Sequence, residues 1–588
     1  MKNKRLAAAS KGMVGTVVGC TLLLAIVWMS SGRSDDVIQS DFSLAVDLST
    51  LSNIAVQHNG RLKSFDSYAR TMTKFVTGPR LINGQPSEFT YLDMMFRPDA
   101  YDQAEIIYVK HKDMRKRIAQ RLANDPAIPA ERLTRFNKVG LISPEWLARP
   151  EVNALLDEMS RDLIRTAKFV NAVRDATFVR LPSTLAGSLR IMPPAGEDRQ
   201  QIWLPIDSLW QTARAPQDAA HADLRRRVFV PDLDPKLQDS IAGAWLGLAS
   251  AWQRQDAPAV NRALAGLAGD LAKLNPHLYP AAEKLQLESW YVRYKAMVWI
   301  WMIYLLAVVP LLMSVIYHWL WARRVGLVFF LAAFGLHTAS ISIRWYLSGR
   351  IPNSNMFEAI IAASWFGAVA ALIIEFLVRK TAMRNLFALG SAVCAMVAMM
   401  CSHFMPVALS SDINHIMPVL NDVWLYIHTN VIIFSYCLIG MATITALLYL
   451  GYRIFGGNDE YASSGGAGAL ILAGASAKPF VRAKSPSYGQ VLDGATMVLM
   501  ELSFVLLWVG LCMGAIWADH SWGRPWGWDP KEVFALNTFL VFLLLVHVRL
   551  KVRDKALWTA VLACVGCGVM LFNWIVVNFI ITGLHSYA

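Results

Sequence analysis

The polar stretch from residue 32 to residue 290 contains no cysteine. No disulfide framework holds it together, and none of its histidines or acids falls at a metal-binding or catalytic spacing. Charge is scarce along the whole chain. Only 17% of the 588 residues are Asp, Glu, Lys or Arg, against 55% hydrophobic, which excludes both a disordered chain and a single soluble domain. Acids are outnumbered, leaving a formal net charge of +13. The Lys and Arg residues cluster beside apolar runs, however, so the excess reads as membrane topology and no nucleic-acid partner is expected.

What the chain has in quantity is apolar runs long enough to cross a bilayer. All seven cysteines (Cys20, Cys394, Cys401, Cys437, Cys512, Cys564 and Cys567) lie in them. Cys564 and Cys567 have the C-x-x-C spacing, but no His follows, and a thiolate in mid-membrane is costly. They read as small residues for helix packing. Lys2, Lys4, Arg5 and Lys11 precede a run from Met13 to about Ser30 with no clear cleavage site, which is expected to be a retained anchor with a cytoplasmic N-terminus. Helical periodicity at about 108–124, 144–178, 236–254 and 257–274 predicts a mainly helical polar domain. Spans follow at roughly 297–318, 325–346, 357–378, 385–407, 425–452, 492–517, 532–550 and 558–582.

The expected fold is thus an all-α polytopic membrane protein of about nine transmembrane helices with a large extracytoplasmic domain. Its parts are an anchor at 1–31, the polar domain at 32–290 and an eight-helix membrane domain at 291–588. Arg323-Arg324, Arg379-Lys380 with Arg384, Arg453 with the basic cluster 478–484, and Arg549, Lys551, Arg553 and Lys555 all fall on one side. The segments 348–356, 408–424, 519–531 and 583–588 fall on the other, which the positive-inside rule makes extracytoplasmic. The Gly/Ala/Ser stretch 464–477 is expected to be a flexible cytoplasmic loop.

One outer segment, Ser521-Trp522-Gly523-Arg524-Pro525-Trp526-Gly527-Trp528-Asp529-Pro530-Lys531-Glu532, stands apart. Asp529, Pro530 and Glu532 have the pattern of a capping-box helix start. Trp522, Trp526 and Trp528 among glycines serve no such need. An interfacial aromatic belt is the alternative, but a belt spreads over many helix ends. A rigid, flat, π-rich platform for a planar ligand fits better.

This loop, at 519–532, resembles the W-G-x-x-W-x-W-D signature of the WWD haem-handling proteins of cytochrome c maturation, in particular the CcsA/ResC type of System II. His428, the Leu545-Val546-His547 run, the ending Gly583-Leu584-His585-Ser586-Tyr587-Ala588, and Arg344-Trp345-Tyr346-Leu347-Ser348-Gly349 through Pro352, Ser354 and Asn355 extend the resemblance over roughly 325–588. Pro525 stands where an aromatic is usual, and Arg350 where the family often has His. The segment from Val56 to Arg61, with Ser67 to Arg70, resembles an N-terminal region fused to such proteins in some bacteria.

The resemblance implies haem b as the transported ligand, held by Trp522, Gly523, Arg524, Trp526, Trp528 and Asp529, with His428 and His585 as outer axial ligands. His547 lies about 25 Å below the outer surface, counted from Pro530, and ionisable residues in spans are rare and usually functional. Its expected partner is His337, about 18 Å below Gly349, in preference to His318, which sits beside Trp319 and Arg323 like an interfacial residue. Arg524 and Lys531 are candidates for the haem propionates. His58, His111, His221 and His277 are scattered and read as structural or solvated.

The implied partners are apocytochrome c, a ResB/CcsB-type protein, a separate thioredoxin-like thiol reductant and membrane lipids. The implied role is a component of a holocytochrome c synthase in the bacterial inner membrane. A haem carrier without ligase activity and a cytochrome b-like electron carrier are the alternatives.

Overall fold

A computed structural model describes residues 40–581, apart from residues 164, 199–200, 213–224, 407, 416–419, 459, 463–485 and 578–580. The expected anchor at 1–31, His221, His585 and the stretch 464–477 lie outside the described residues. The chain divides into two compact units, with the boundary between Tyr294 and Lys295.

The first unit is mainly helical, with four two-stranded antiparallel sheets among the described residues that periodicity did not reveal. In one, β1 (Ala55–His58) pairs with β2 (Arg61–Ser64) across Asn59 and Gly60, whose φ values are 51° and 72°. Two positive-φ residues give the turn whose twist matches the flanking strands. The helices Pro235–Gln253 and Ala257–Leu274 lie close to their expected places. The stretch 144–178 does not form one helix. It breaks into Pro144–Leu147, Pro150–Ser160 and Ala167–Val179, because Pro150 has no N–H to donate and holds Arg149 extended at ψ 138°. The core gathers Phe42, Phe89, Phe96 and Trp252, with the Trp252 indole donating to Asp93 at 2.8 Å.

Among the described residues, the second unit holds eight helical segments long and apolar enough to cross a membrane. They are α1 (Trp301–Tyr317), α2 (Leu320–Ser348), α3 (Met356–Val378), α4 (Leu386–Phe404), α5 (Val423–Ile454), α6 (Tyr488–Trp522), α7 (Pro530–Lys551) and α8 (Lys555–Leu571). Their ends alternate as the basic loops require. At one end, Arg344 of α2 donates to the Ser411 carbonyl, Asn353 to Thr429 of α5, and Asp422, which caps α5, meets His520 of α6. At the other, Arg453 pairs with Asp554, Arg549 with Asp493, and Asn385 bonds Ser314.

Small residues let the helices approach closely, as membrane packing favours. A Cβ on Gly510 of α6 would meet Ile432 at 2.4 Å, and one on Gly566 of α8 would meet Phe542 at 2.9 Å. Gly566 lies between Cys564 and Cys567, which are free thiols on a packing helix.

Candidate functional site

The Trp-rich segment starts later than its sequence suggests. α6 continues to Trp522 and stops at Gly523, which takes the left-handed conformation at φ 70° with its N–H on the Asp519 carbonyl. At 35 residues this helix is about 52 Å long, well beyond the thickness of the hydrocarbon core. Only Gly523 to Asp529 forms the connection. Asp529 and Glu532 then form the expected capping box, with Pro530 in the first turn of α7.

Glu532 does more than cap. One carboxylate oxygen accepts the N–H of Gly527 at 2.8 Å and that of Asp529 at 3.2 Å. The residue between them, Trp528, is held at φ 55°, a conformation costly for a bulky side chain, and its ring is 74% exposed. The tryptophans do not lie in one plane. Trp526 and Trp528 cross at 86° with centroids 6.0 Å apart. Trp522 meets Trp517 at 63° and 4.8 Å. Trp517 is buried, a supporting ring that motif reading passed over. The surface offered to a planar ligand is therefore mainly the face of Trp528, braced by crossed rings. Arg524 lies over Gly527, with its guanidinium 3.4 Å from where a Cβ would stand.

His428 sits in the second turn of α5, at the same end. Its Nδ1 donates to the Gly510 carbonyl of α6 at 2.7 Å, which puts the ring's lone pair on Nε2, the nitrogen a metal would take. Gly514 makes room for the ring, since a Cβ there would meet it at 2.7 Å. Arg344, Arg350 and Glu358 form a buried charged cluster at this end as well. Arg350, at the position where a His was expected, is thereby committed to a carboxylate.

The membrane histidines are placed differently from one another. His547 is on an exposed face of α7, with Nδ1 donating to the Leu543 carbonyl at 2.8 Å. His337 is fully buried on α2, its Nδ1 3.1 Å from the Tyr304 hydroxyl of α1. α2 packs chiefly on α1, and α7 on α8 and α6. His318 ends α1 at φ 57° and lines a cavity of about 380 Å³ with Arg384, Asn385 and Tyr488 at the basic end. In the first unit, His111 caps a helix by accepting the Met114 N–H at 3.2 Å, a structural role as expected.

Residues 353–585 match the family model described as cytochrome C assembly protein. The cytochrome c biogenesis protein CcsA of Porphyra purpurea is 30% identical over 267 residues, 42% of this chain and 82% of that protein. CcsA of Guillardia theta is 30% identical over 293 residues, 47% of this chain and 92% of that protein. Protein NrfI of Wolinella succinogenes is 26% identical over 542 residues, 90% of this chain, which thus spans about half (53%) of NrfI. The chain belongs to the CcsA family of cytochrome c biogenesis proteins, here with an N-terminal extension that the match to NrfI also covers.

Proposed function

We propose that this protein receives haem b from the inner leaflet and presents it at the outer face of a bacterial inner membrane for attachment to apocytochrome c. The observation that carries the reading is His428. Its Nδ1 donates to the Gly510 carbonyl, which puts the imidazole lone pair on Nε2, at the end of the bundle that bears the Trp-rich connection. His585 supplies the second axial ligand, Trp522, Trp526 and Trp528 the aromatic contacts, and Arg524 and Lys531 the charges for the propionates.

At this site apocytochrome c thiols add across the haem vinyl groups, and the incoming substrate His displaces one axial ligand. The addition chemistry belongs to haem and thiols, and the protein contributes position and ligation. A ResB/CcsB-type partner and a thioredoxin-like reductant complete the system. Residues 32–290 form its extracytoplasmic domain.

In the inner leaflet, the exposed His547 is the first ligand. His337 is its candidate partner, and its burial requires the surrounding helices to move before iron can reach its Nε2. The test is co-expression with a c-type apocytochrome in a host without its own maturation system, scored by covalent haem. Haem bound to the protein without any thioether product would leave a carrier, and reversible quinone-linked redox activity would favour an electron-transfer role.

A further inference from the structure

The turn of α5 that carries His428 is gripped from two sides. On one side is the Gly510 carbonyl of α6. On the other is the connection between α2 and α3, whose Asn353 donates its side-chain N–H to the Thr429 hydroxyl. That hydroxyl in turn donates to the Leu425 carbonyl at 2.7 Å, one turn back. Thr429 directly follows the proposed ligand.

The connection is fixed by a single carboxylate. Glu358, its side chain wholly buried, accepts Arg344 Nε at 2.8 Å, Arg350 Nη1 at 2.9 Å and the Ser354 backbone N–H at 2.6 Å. The two guanidiniums also reach across to the connection between α4 and α5, binding the carbonyls of Ser411 at 2.8 Å, Asp412 at 3.1 Å and Asn414 at 3.0 Å. Burying a carboxylate with two guanidiniums rarely adds stability over apolar packing of the same volume, because desolvation offsets the attraction. What such a cluster supplies is a fixed shape. Here it holds Asn353 against α5.

We propose that Asn353 is a positioning residue for His428, acting through Thr429, and that Arg344, Arg350 and Glu358 serve to hold Asn353 in place. The inference rests on the reading of His428 as an axial ligand. A ligand displaced by about an ångström loses much of its effect, so anchoring the helix turn matters as much as the imidazole.

The experiment compares Asn353→Ala, Thr429→Val and the double variant in the full chain, purified in detergent and co-expressed with an apocytochrome c. Expected are an altered absorption spectrum of the co-purified haem and a several-fold drop in holocytochrome, both largely reversed by added imidazole. The double variant should be no worse than the worse single variant, because both remove one bond. Thr429→Ser keeps the hydroxyl and should behave as the parent.

Thr429→Val changes little volume, so it carries the test if Asn353→Ala fails to accumulate. An unaltered spectrum in Thr429→Val, or a drop in yield that tracks protein level alone, would overturn the inference. His428→Ala runs in parallel. If it too leaves the spectrum unchanged, the axial reading has failed; if only His428→Ala changes it, the positioning role alone has failed.

Discussion

A histidine in a membrane protein becomes a ligand only when something decides which ring nitrogen holds the proton. For His428, the proposed axial ligand, the Gly510 carbonyl holds the proton on Nδ1, and Gly514 provides the space in which the ring can reach it. Gly514→Ala is therefore a test that leaves the imidazole in place. Its Cβ would stand 2.8 Å from Nδ1, so the ring must move off the carbonyl, at an overpacking cost of about 1–3 kcal/mol. Holocytochrome yield should fall nearly as far as in His428→Ala, and exogenous imidazole should partly restore both. Normal yield in Gly514→Ala would show that the contact with Gly510 does not set the ligand. Trp528 is the other residue under local constraint, its left-handed backbone spanned by two N–H bonds to Glu532. Trp528→Phe should retain most haem in the outer site and Trp528→Ala much less, since an aromatic contact contributes on the order of 1 kcal/mol; haem-to-protein ratios read the difference.

Elements, by contrast, are decided at their ends. Glu532→Ala removes the Glu half of the α7 capping box and releases the Gly527 and Asp529 N–H groups, so it should loosen the Trp-rich turn, seen as faster proteolysis near Arg524. A second end lies in the first unit, where Asp66 in the first turn of helix Phe65–Thr77 accepts the Ser289 hydroxyl of helix Ala282–Arg293. Burial, with Glu88 adding to it, raises the Asp66 carboxyl from 3.8 to about 6. A raised acid contributes stability that is complete below its unfolded value near 4 and lost as pH climbs through 6. Asp66→Asn should therefore raise the melting temperature at pH 8, by up to about 3 kcal/mol of stability, and change little at pH 4. An equal shift at both pH values would remove Asp66 as the cause. The same ends explain what was legible in the sequence. Hydropathy located all eight spans, and Asp529-Pro530 marked the start of α7, because apolar length and capping are local. Hydropathy missed the end of α6, where helix outlasts apolar sequence until Gly523 allows a turn. Asn59-Gly60 was a readable hairpin signal that helical periodicity obscured. Arg344 and Asn355 were visible as a pattern without a role, because their partners Ser411 and Asp412 are more than fifty residues away.

At the scale of the molecule, one end of the bundle carries the Trp-rich connection and His428, and the other the basic loops and His318. In the orientation proposed from the positive-inside rule the basic end is cytoplasmic, so a reporter fused after Ala588 should be extracytoplasmic and one inserted near Gly465 cytoplasmic. Reversed labelling would put the proposed ligation site in the wrong compartment. On the proposed path haem passes two positions in series, and loss of each should look different. His547 lies on an exposed face of α7, with its lone pair on Nε2, and is proposed to take haem first. His547→Ala should yield purified protein with little haem of any kind, because nothing downstream is loaded. His428→Ala leaves loading intact, so haem should still co-purify while covalent attachment stops. His337 and His318 separate in the same assay. His337 is fully buried, whereas His318 lines a cavity, so His337→Ala should lower haem content only if the helices around it move during loading. The measurement is the haem-to-protein ratio and absorption spectrum of each variant purified under one protocol. Full haem content in His547→Ala would remove the inner position and leave a single site, served directly from outside the bundle.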